Sequence, residues 1–430
     1  MKLHLLSFFL FSAALVQAQT VKKGALVIGQ VDSLTSTVLK EQRKVWISVP
    51  ASASDLTHAK QRYPVVFLLD GEDHFVYTSG MIQRQSESPE TGCPEMIVVG
   101  IPNTQRTRDL TPSRPTSFEG MPPEELKAAG GGENFTAFLE KELIPYIEAH
   151  YPASAHRTLI GHSFGGLLVM NTLVHHANLF ENYVALDPSM WWDSENLLKQ
   201  VHEALAQPRF KGRTLFVASA NASGQDSVLT AKDPSISGQH GRAKWKLRED
   251  LARNPGNGLR SAFRYYPTDS HGSVTVPATS DALNYIFQPY ALSIASILAL
   301  IAKKPTEDGA AMLVAHYQQV SAQVGYSVLP PESFVNGLAN YLLTQEGQAP
   351  RALALFQLNL QNYPTSSNVH SGLGDYYQAQ KQPNFAIASY TKALQLQETP
   401  AIRKKLAELQ VKQTPLGKKG SSRAKNTLKG

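Results

Sequence analysis

The chain has 430 residues, 42% of them hydrophobic and 18% charged, with a formal net charge of +6. That length and balance fit a globular protein of two or three domains and exclude fibrous and wholly disordered classes. Cys93 is the only cysteine, which excludes an internal disulfide, and it reads as a structural thiol. Lys412, Lys418, Lys419, Arg423, Lys425 and Lys429 match the whole positive excess. The charge therefore belongs to a solvated tail and not to a basic folded face, which argues against nucleic-acid binding.

In chain order, residues 1–18 have the make-up of a signal peptide. Lys2 and His4 precede an apolar run from Leu5 to Val16, and Val16-Gln17-Ala18 stands as a cleavage site. The run is shorter than the ~20 apolar residues that a membrane span needs. A periplasmic or secreted destination is expected, with no membrane span.

From Gly24 to about Pro289, β-branched runs alternate with helical patterns, the mark of a mostly parallel sheet covered by helices. Strands are predicted at 45–49, 65–69, 96–99, 158–160, 183–186, 214–217 and 263–266. Val65-Val66-Phe67-Leu68-Leu69 is apolar throughout, as a strand buried on both faces should be. Helices are predicted over 133–149 and 167–175.

After Pro289 the pattern turns helical. Ala352, Phe356 and Leu360 recur 34 residues later as Ala386, Tyr390 and Leu394. Gly337-Leu338 and Tyr341 recur as Gly372-Leu373 and Tyr376. Period and residue types resemble tetratricopeptide helix pairs, which must stack to bury their apolar faces. The organisation expected is a sheet domain over 19–290, a helical linker region over 291–330, a small all-α repeat domain over 331–411 and a basic tail over 412–430.

The most informative stretch is Thr158-Leu159-Ile160-Gly161-His162-Ser163-Phe164-Gly165-Gly166: strand, G-x-S-x-G turn, helix. A serine at such an apex needs a strained backbone, and side chains at the flanking glycines would strike the strand and helix. The result is an exposed hydroxyl, with the Phe164 N–H free to stabilise an oxyanion. A serine needs an adjacent base. Among 13 histidines, His271 follows the last strong strand, in Ser270-His271-Gly272-Ser273-Val274. His162 reads as a support residue pointing away, and His74 as a substrate contact. For the acid, Asp226 is the first choice, then Asp187, then Asp233; a Ser–His pair without an acid is the remaining arrangement. The second oxyanion donor is expected from the loop after 65–69, at the Gly71 or Glu72 N–H.

Six motifs in order carry a resemblance: Leu68-Leu69-Asp70-Gly71, Val98 to Asn103, Arg106 to Pro112, the Gly161–Gly166 elbow, Asp187-Pro188-Ser189-Met190-Trp191-Trp192, and His271-Gly272-Ser273-Val274. Together they resemble the family described as "Putative esterase", which includes siderophore esterases, feruloyl esterases and S-formylglutathione hydrolases. The resemblance implies an α/β-hydrolase fold, hydrolysis of a small-molecule carboxylic ester and no metal or organic cofactor. It implies that Ser163 is the nucleophile and His271 the base. It places Arg106 or Arg108 towards an anionic substrate, although pairing with Asp109 accounts for them equally. It sets Trp191 and Trp192 around an aromatic acyl group, or in a lid or core. The chain departs from relatives that carry an acid at Ser270, and from siderophore enzymes in its helical extension. The rival expectation is an interaction protein whose repeats hold a protein partner beside a vestigial hydrolase domain.

Overall fold

A computed structural model describes residues 26–54, 61–87, 92–118, 121–221, 232–233, 235–303 and 308–413. The signal-peptide segment, Asp226 and the tail from 414 lie outside them.

Eight strands form one sheet: β1 Gln30–Ser36, β2 Glu41–Ser48, β3 Tyr63–Leu69, β4 Ile97–Ile101, β5 Ala153–His162, β6 Asn182–Leu186, β7 Arg213–Ala220 and β8 Leu259–Tyr266. The order across the sheet is β1-β2-β4-β3-β5-β6-β7-β8. β1 and β2 form an antiparallel hairpin, β2 is antiparallel to β4, and the remaining pairs are parallel. Each predicted strand coincides with one of β2 to β8, overrunning by one residue only at Val49 and Met96. β1 was not anticipated: QVDSLTS is polar, mostly exposed and on the sheet edge, so it carries little apolar signal. Pro64 cannot donate to a ladder, and the β3–β5 register shifts between Tyr63 and Val65.

Helices cover both faces. One face buries Phe135, Phe138, Leu167, Leu168, Val201 and Leu247, from helices Gly132–Phe138, Phe164–His175, Trp192–Leu205 and Ile236–Arg253. The helix expected over 133–149 is interrupted by a π turn at Leu139–Leu143 ahead of a helix Ile144–His150. Pro145 explains this: without an N–H it cannot make the regular backbone bond, and the turn widens to accommodate it. The other face buries Phe75, Ile82, Ala278, Leu283 and Ile286, from helices Gly71–Ser86 and Thr275–Ile286.

This second core does not stop at Pro289. It runs unbroken from Val66 and Leu68 through Leu300, Leu313, Tyr317, Val335 and Phe356 to Leu373. The helical region is therefore built onto the sheet, and only the last helices hold a separate cluster, around Ala386, Tyr390 and Ile402. Helix starts recur: Glu332 and Ser367 are 35 residues apart, Ala349 and Pro383 are 34 apart. At Gly374 a Cβ would lie 2.5 Å from the Tyr390 ring, so glycine admits the aromatic of the next helix.

His156 sits where β5 meets this extension, its ring 6.0 Å from Tyr326 and 6.1 Å from Phe287. Its Nε2 accepts from Asn182 Nδ2 at 2.9 Å. Burial pulls its pKa down to about 4, against a smaller opposing effect of a backbone hydrogen bond at Val324. A histidine in the unfolded chain takes its proton near pH 6.5. Between those values the unfolded state binds more protons, so stability falls as pH falls through that window. Thermal melts from about pH 7 to about pH 4 should show a falling midpoint, less steep in His156→Gln; an unchanged slope in that variant would contradict the assignment.

Candidate active site

Because β3, β5, β6, β7 and β8 run parallel, their carboxyl ends meet along one edge of the sheet, where ligands bind in open α/β sheets. Ser163 follows β5 and precedes helix Phe164–His175, with φ 59° and ψ −114°. A residue with a side chain holds that conformation only under constraint. The constraint is visible: Ser163 N–H donates to Leu186 O at 3.0 Å, and Ser163 O accepts from Leu167 N at 2.9 Å and from Ser189 N at 3.1 Å. A Cβ at Gly161 would lie 2.4 Å from the Gly165 carbonyl, and one at Gly166 would lie 3.0 Å from Pro188 Cα. Ser163 itself is half-buried. Its Oγ lies 3.2 Å from Ser189 Oγ.

His271 follows β8, its side chain 42% exposed. Its Nδ1 is 2.5 Å from Oδ2 of Asp187. Its backbone carbonyl accepts from His162 Nε2 at 2.8 Å, and the two rings are 4.5 Å apart. His162 therefore does not point away, as expected from the turn; it braces His271 from the residue next to Ser163. Burial pushes the His162 pKa down to about 4, with His271 adding to the effect, so it is neutral. A carbonyl only accepts, which puts the His162 proton on Nε2.

The carboxylate beside His271 comes from the end of β6. Asp187 has φ 45° and a fully buried side chain. Its Oδ1 accepts from Ala220 N at 2.7 Å and from Lys244 Nζ, and its Oδ2 accepts from His240 Nε2 at 2.9 Å as well as from His271. Burial works to raise its pKa, yet His240, His271 and Lys244 hold the carboxyl well below the usual range. Asp187, the second of the acids considered, is the one at His271. Asp226, the first, lies outside the described residues. The third, Asp233, is half-buried and accepts locally from Ser235 N at 2.9 Å.

The loop after β3 completes the arrangement. Asp70 takes φ 51° and leads into helix Gly71–Ser86, so the Gly71 and Glu72 N–H groups, like that of Phe164, have no intrahelical acceptor. A Cβ at Gly71 would meet Ile101 N at 2.6 Å. A Cβ at Gly165 would lie 3.2 Å from Asp70 Oδ2, so this loop abuts the elbow. Asp70 receives Arg106 Nε at 2.6 Å, Arg106 Nη2 at 2.9 Å and Asn103 Nδ2 at 2.7 Å.

Residues 36–248 match the family described as "Putative esterase". The ferri-bacillibactin esterase BesA of Bacillus subtilis is 30% identical over 240 residues, 53% of this chain and 80% of that protein. The chain belongs to this esterase family. The siderophore triacetylfusarinine C esterase of Aspergillus fumigatus is 30% identical over 38% of the chain, spanning 55% of that protein. Among solved structures, an IroE-like serine hydrolase from Shewanella oneidensis matches with a TM-score of 0.65 and 30% identity, over 77% of this chain and 99% of that one. The fold is that of an α/β-hydrolase, and the protein is a serine hydrolase of carboxylic esters.

Other residues named from the sequence take different places in the esterase. Arg106 is spent on Asp70 and on His162 O at 3.3 Å, with its guanidinium 5.5 Å from the Phe164 ring centre. It supports the loop and the elbow and does not face outward as a free cation. Arg108 pairs with Glu41 at 2.8 Å and with Asp109 at 2.7 Å. His74 is buried, with its ring 5.8 Å from that of His162. Trp192 is core: 1% exposed, its indole N–H donating to Ser113 O at 3.0 Å. Trp191 is half-buried, stacked on Phe118 at 5.0 Å and 6.3 Å from Phe164. A cavity of about 990 Å³ lies among Arg62, Glu95, Tyr326, Glu332 and Asn362, at the amino ends of β3 and β4, opposite to Ser163. Lys244 and His240 were missed from the sequence. Their signal is that both occupy the buried face of helix Ile236–Arg253, where apolar residues are the rule.

Gly161→Ala is expected to cost about 2 kcal/mol or more, since its Cβ meets backbone that cannot swing aside. Urea unfolding checks this; a variant within about 0.5 kcal/mol of wild type would show that the elbow is looser than described.

Proposed function

We propose that the enzyme is exported and cleaves an aromatic, siderophore-type ester through an acyl-enzyme formed on Ser163. The observation carrying the proposed roles is the juxtaposition at the strand ends: Ser163 at φ 59° on the elbow, braced through His162 to His271, whose Nδ1 is 2.5 Å from the buried Asp187 carboxylate.

An ionised carboxylate only accepts, so the His271 proton sits on Nδ1 and Nε2 is left with its lone pair. In the reaction the Ser163 hydroxyl leaves Ser189, attacks the ester carbonyl and gives its proton to Nε2. Asp187 stabilises the resulting imidazolium without taking the proton. The carbonyl oxygen becomes an oxyanion, met by the Phe164 N–H and by the Gly71 or Glu72 N–H. Collapse expels the alcohol, which leaves with the proton from Nε2. Water then attacks the acyl group, with Nε2 again taking a proton; collapse breaks the bond to Ser163 Oγ, which takes that proton back as the carboxylic acid departs.

Two observations support the substrate class. Trp191, Phe118 and Phe164 form a half-buried aromatic shelf beside the elbow, suited to a planar acyl ring. The named relatives include a ferri-bacillibactin esterase and a triacetylfusarinine C esterase. Export rests on the apolar run Leu5–Val16. Since Arg106 is committed to Asp70, the shelf and not that cation is the recognition element.

The test is turnover across acetyl, aryl and catecholate-trilactone esters, with and without ferric ion. Ser163→Ala should abolish turnover. Trp191→Ala should raise KM for the aryl and catecholate esters roughly 2- to 10-fold and leave the acetyl ester little changed, the range set by aromatic contacts. Equal KM changes for all substrates, or turnover confined to short acyl chains, would overturn the substrate class.

A further inference from the structure

Helix Ile236–Arg253 turns Gly238, His240, Ala243, Lys244 and Leu247 inwards. His240 and Lys244 are four residues apart, so they lie on one face one above the other. Both meet Asp187. Lys244 is 1% exposed and donates to Asp187 Oδ1 and, at 3.3 Å, to Ala220 O. His240 Nε2 donates to Asp187 Oδ2 at 2.9 Å, while its buried Nδ1 has no partner among the described residues. That Nδ1 has nothing to donate to, which makes His240 a neutral Nε2–H imidazole.

The Asp187 carboxylate thus holds four donors, two on each oxygen: Lys244 and Ala220 N on Oδ1, His240 and His271 on Oδ2. A carboxylate so held cannot rotate away from His271. Its charge is also matched by a buried ammonium, which a Ser–His–Asp arrangement does not itself require. The groups that meet His271 are Asp187 from the end of β6, His162 from the elbow and His240 from this helix; Lys244 meets the same Asp187 carboxylate, Asp269 lies two residues before His271 in its own loop, and the His74 ring is 5.8 Å from that of His162. Of these, Asp187 is the buried anion and Lys244 the buried cation.

We propose that Lys244 and His240 are positioning residues that fix the Asp187 carboxylate, and that the Lys244 ammonium cancels its charge, so that His271 remains an unprotonated base to lower pH than an uncompensated acid would allow. This rests on the roles proposed above for Ser163, His271 and Asp187. An anion beside an imidazole favours the imidazolium, and a cation on the same anion removes that preference. The chain would then cleave esters further into the acidic range, at the expense of a weaker base.

The test is the pH dependence of kcat/KM on a short-chain ester. In Lys244→Met the acid limb should move up by about one pH unit, as for a charge within a few ångströms. Lys244→Arg should return it towards the wild-type position. His240→Gln keeps an amide donor and the Lys244 charge, so its limb should stay near wild type. In Lys244→Met a merely structural role would lower the plateau and leave the limb in place, and that result overturns the proposal. Should Lys244→Met fail to fold, the double variant D187N/K244M leaves no unpaired buried charge. Its limb, read as the rate of fluorophosphonate labelling of Ser163, should coincide with that of wild type. A limb that moves down instead means that Asp187 acted on His271 uncompensated, and the proposal fails. If wild type has no turnover that Ser163→Ala removes, the reading of the site has failed, and not this inference.

Discussion

A carboxylate with no solvent exposure must find its hydrogen bonds inside the protein, because a buried unpaired charge costs several kcal/mol. Asp187 meets that demand with donors from three further parts of the chain: Ala220 at the end of β7, His240 and Lys244 on helix Ile236–Arg253, and His271 after β8. Satisfying one side chain therefore gathers the carboxyl ends of β6, β7 and β8. Asp187 N–H donates to Ala218 O at 2.9 Å, which adds a backbone tie between β6 and β7. The reacting end of the molecule is the place where these ties converge.

The elbow depends on the same neighbourhood. Ser163 is held at its unusual φ by bonds to Leu186 and Ser189, the residues on either side of Asp187-Pro188. The loop after β3 is fixed from the other side by Arg106 and Asn103 on Asp70. His162 closes the ring by donating to the His271 carbonyl. These contacts set the geometry before any substrate arrives, which is what electrostatic stabilisation of an oxyanion requires. The aromatic shelf starts four residues after Asp187, at Trp191, which stacks on Phe118 at 5.0 Å.

Strands β2 to β8 were legible because apolar runs bounded by turn residues have few alternatives in a sheet buried on both faces. The elbow was legible because its glycines and serine are local in sequence. The acid was not, because it is fixed by contacts between distant segments. Asp226 follows the strand that such an acid often follows, whereas Asp187 reaches His271 through a left-handed backbone turn that residue type alone does not announce. Arg106 and Arg108 read equally as substrate contacts or as partners of Asp109; Arg108 does pair with Asp109, and with Glu41, while Arg106 pairs with Asp70 and His74 packs beside His162. Lys244 was invisible to charge counting, since a lysine on a helix is ordinarily a solvated one. The change of pattern at Pro289 was legible, but the continuous core from Val66 to Leu373 was not, because shared burial is a property of three-dimensional packing.

The account turns on which carboxylate serves His271, and a direct comparison of two asparagine variants addresses it. With folding of both verified by circular dichroism, kcat for a short-chain ester should fall by roughly 10³- to 10⁴-fold in Asp187→Asn, the scale seen when a triad acid becomes an amide. Asp226→Asn should keep kcat close to wild type. The reverse pattern, with Asp226→Asn nearly inactive and Asp187→Asn active, would contradict the account.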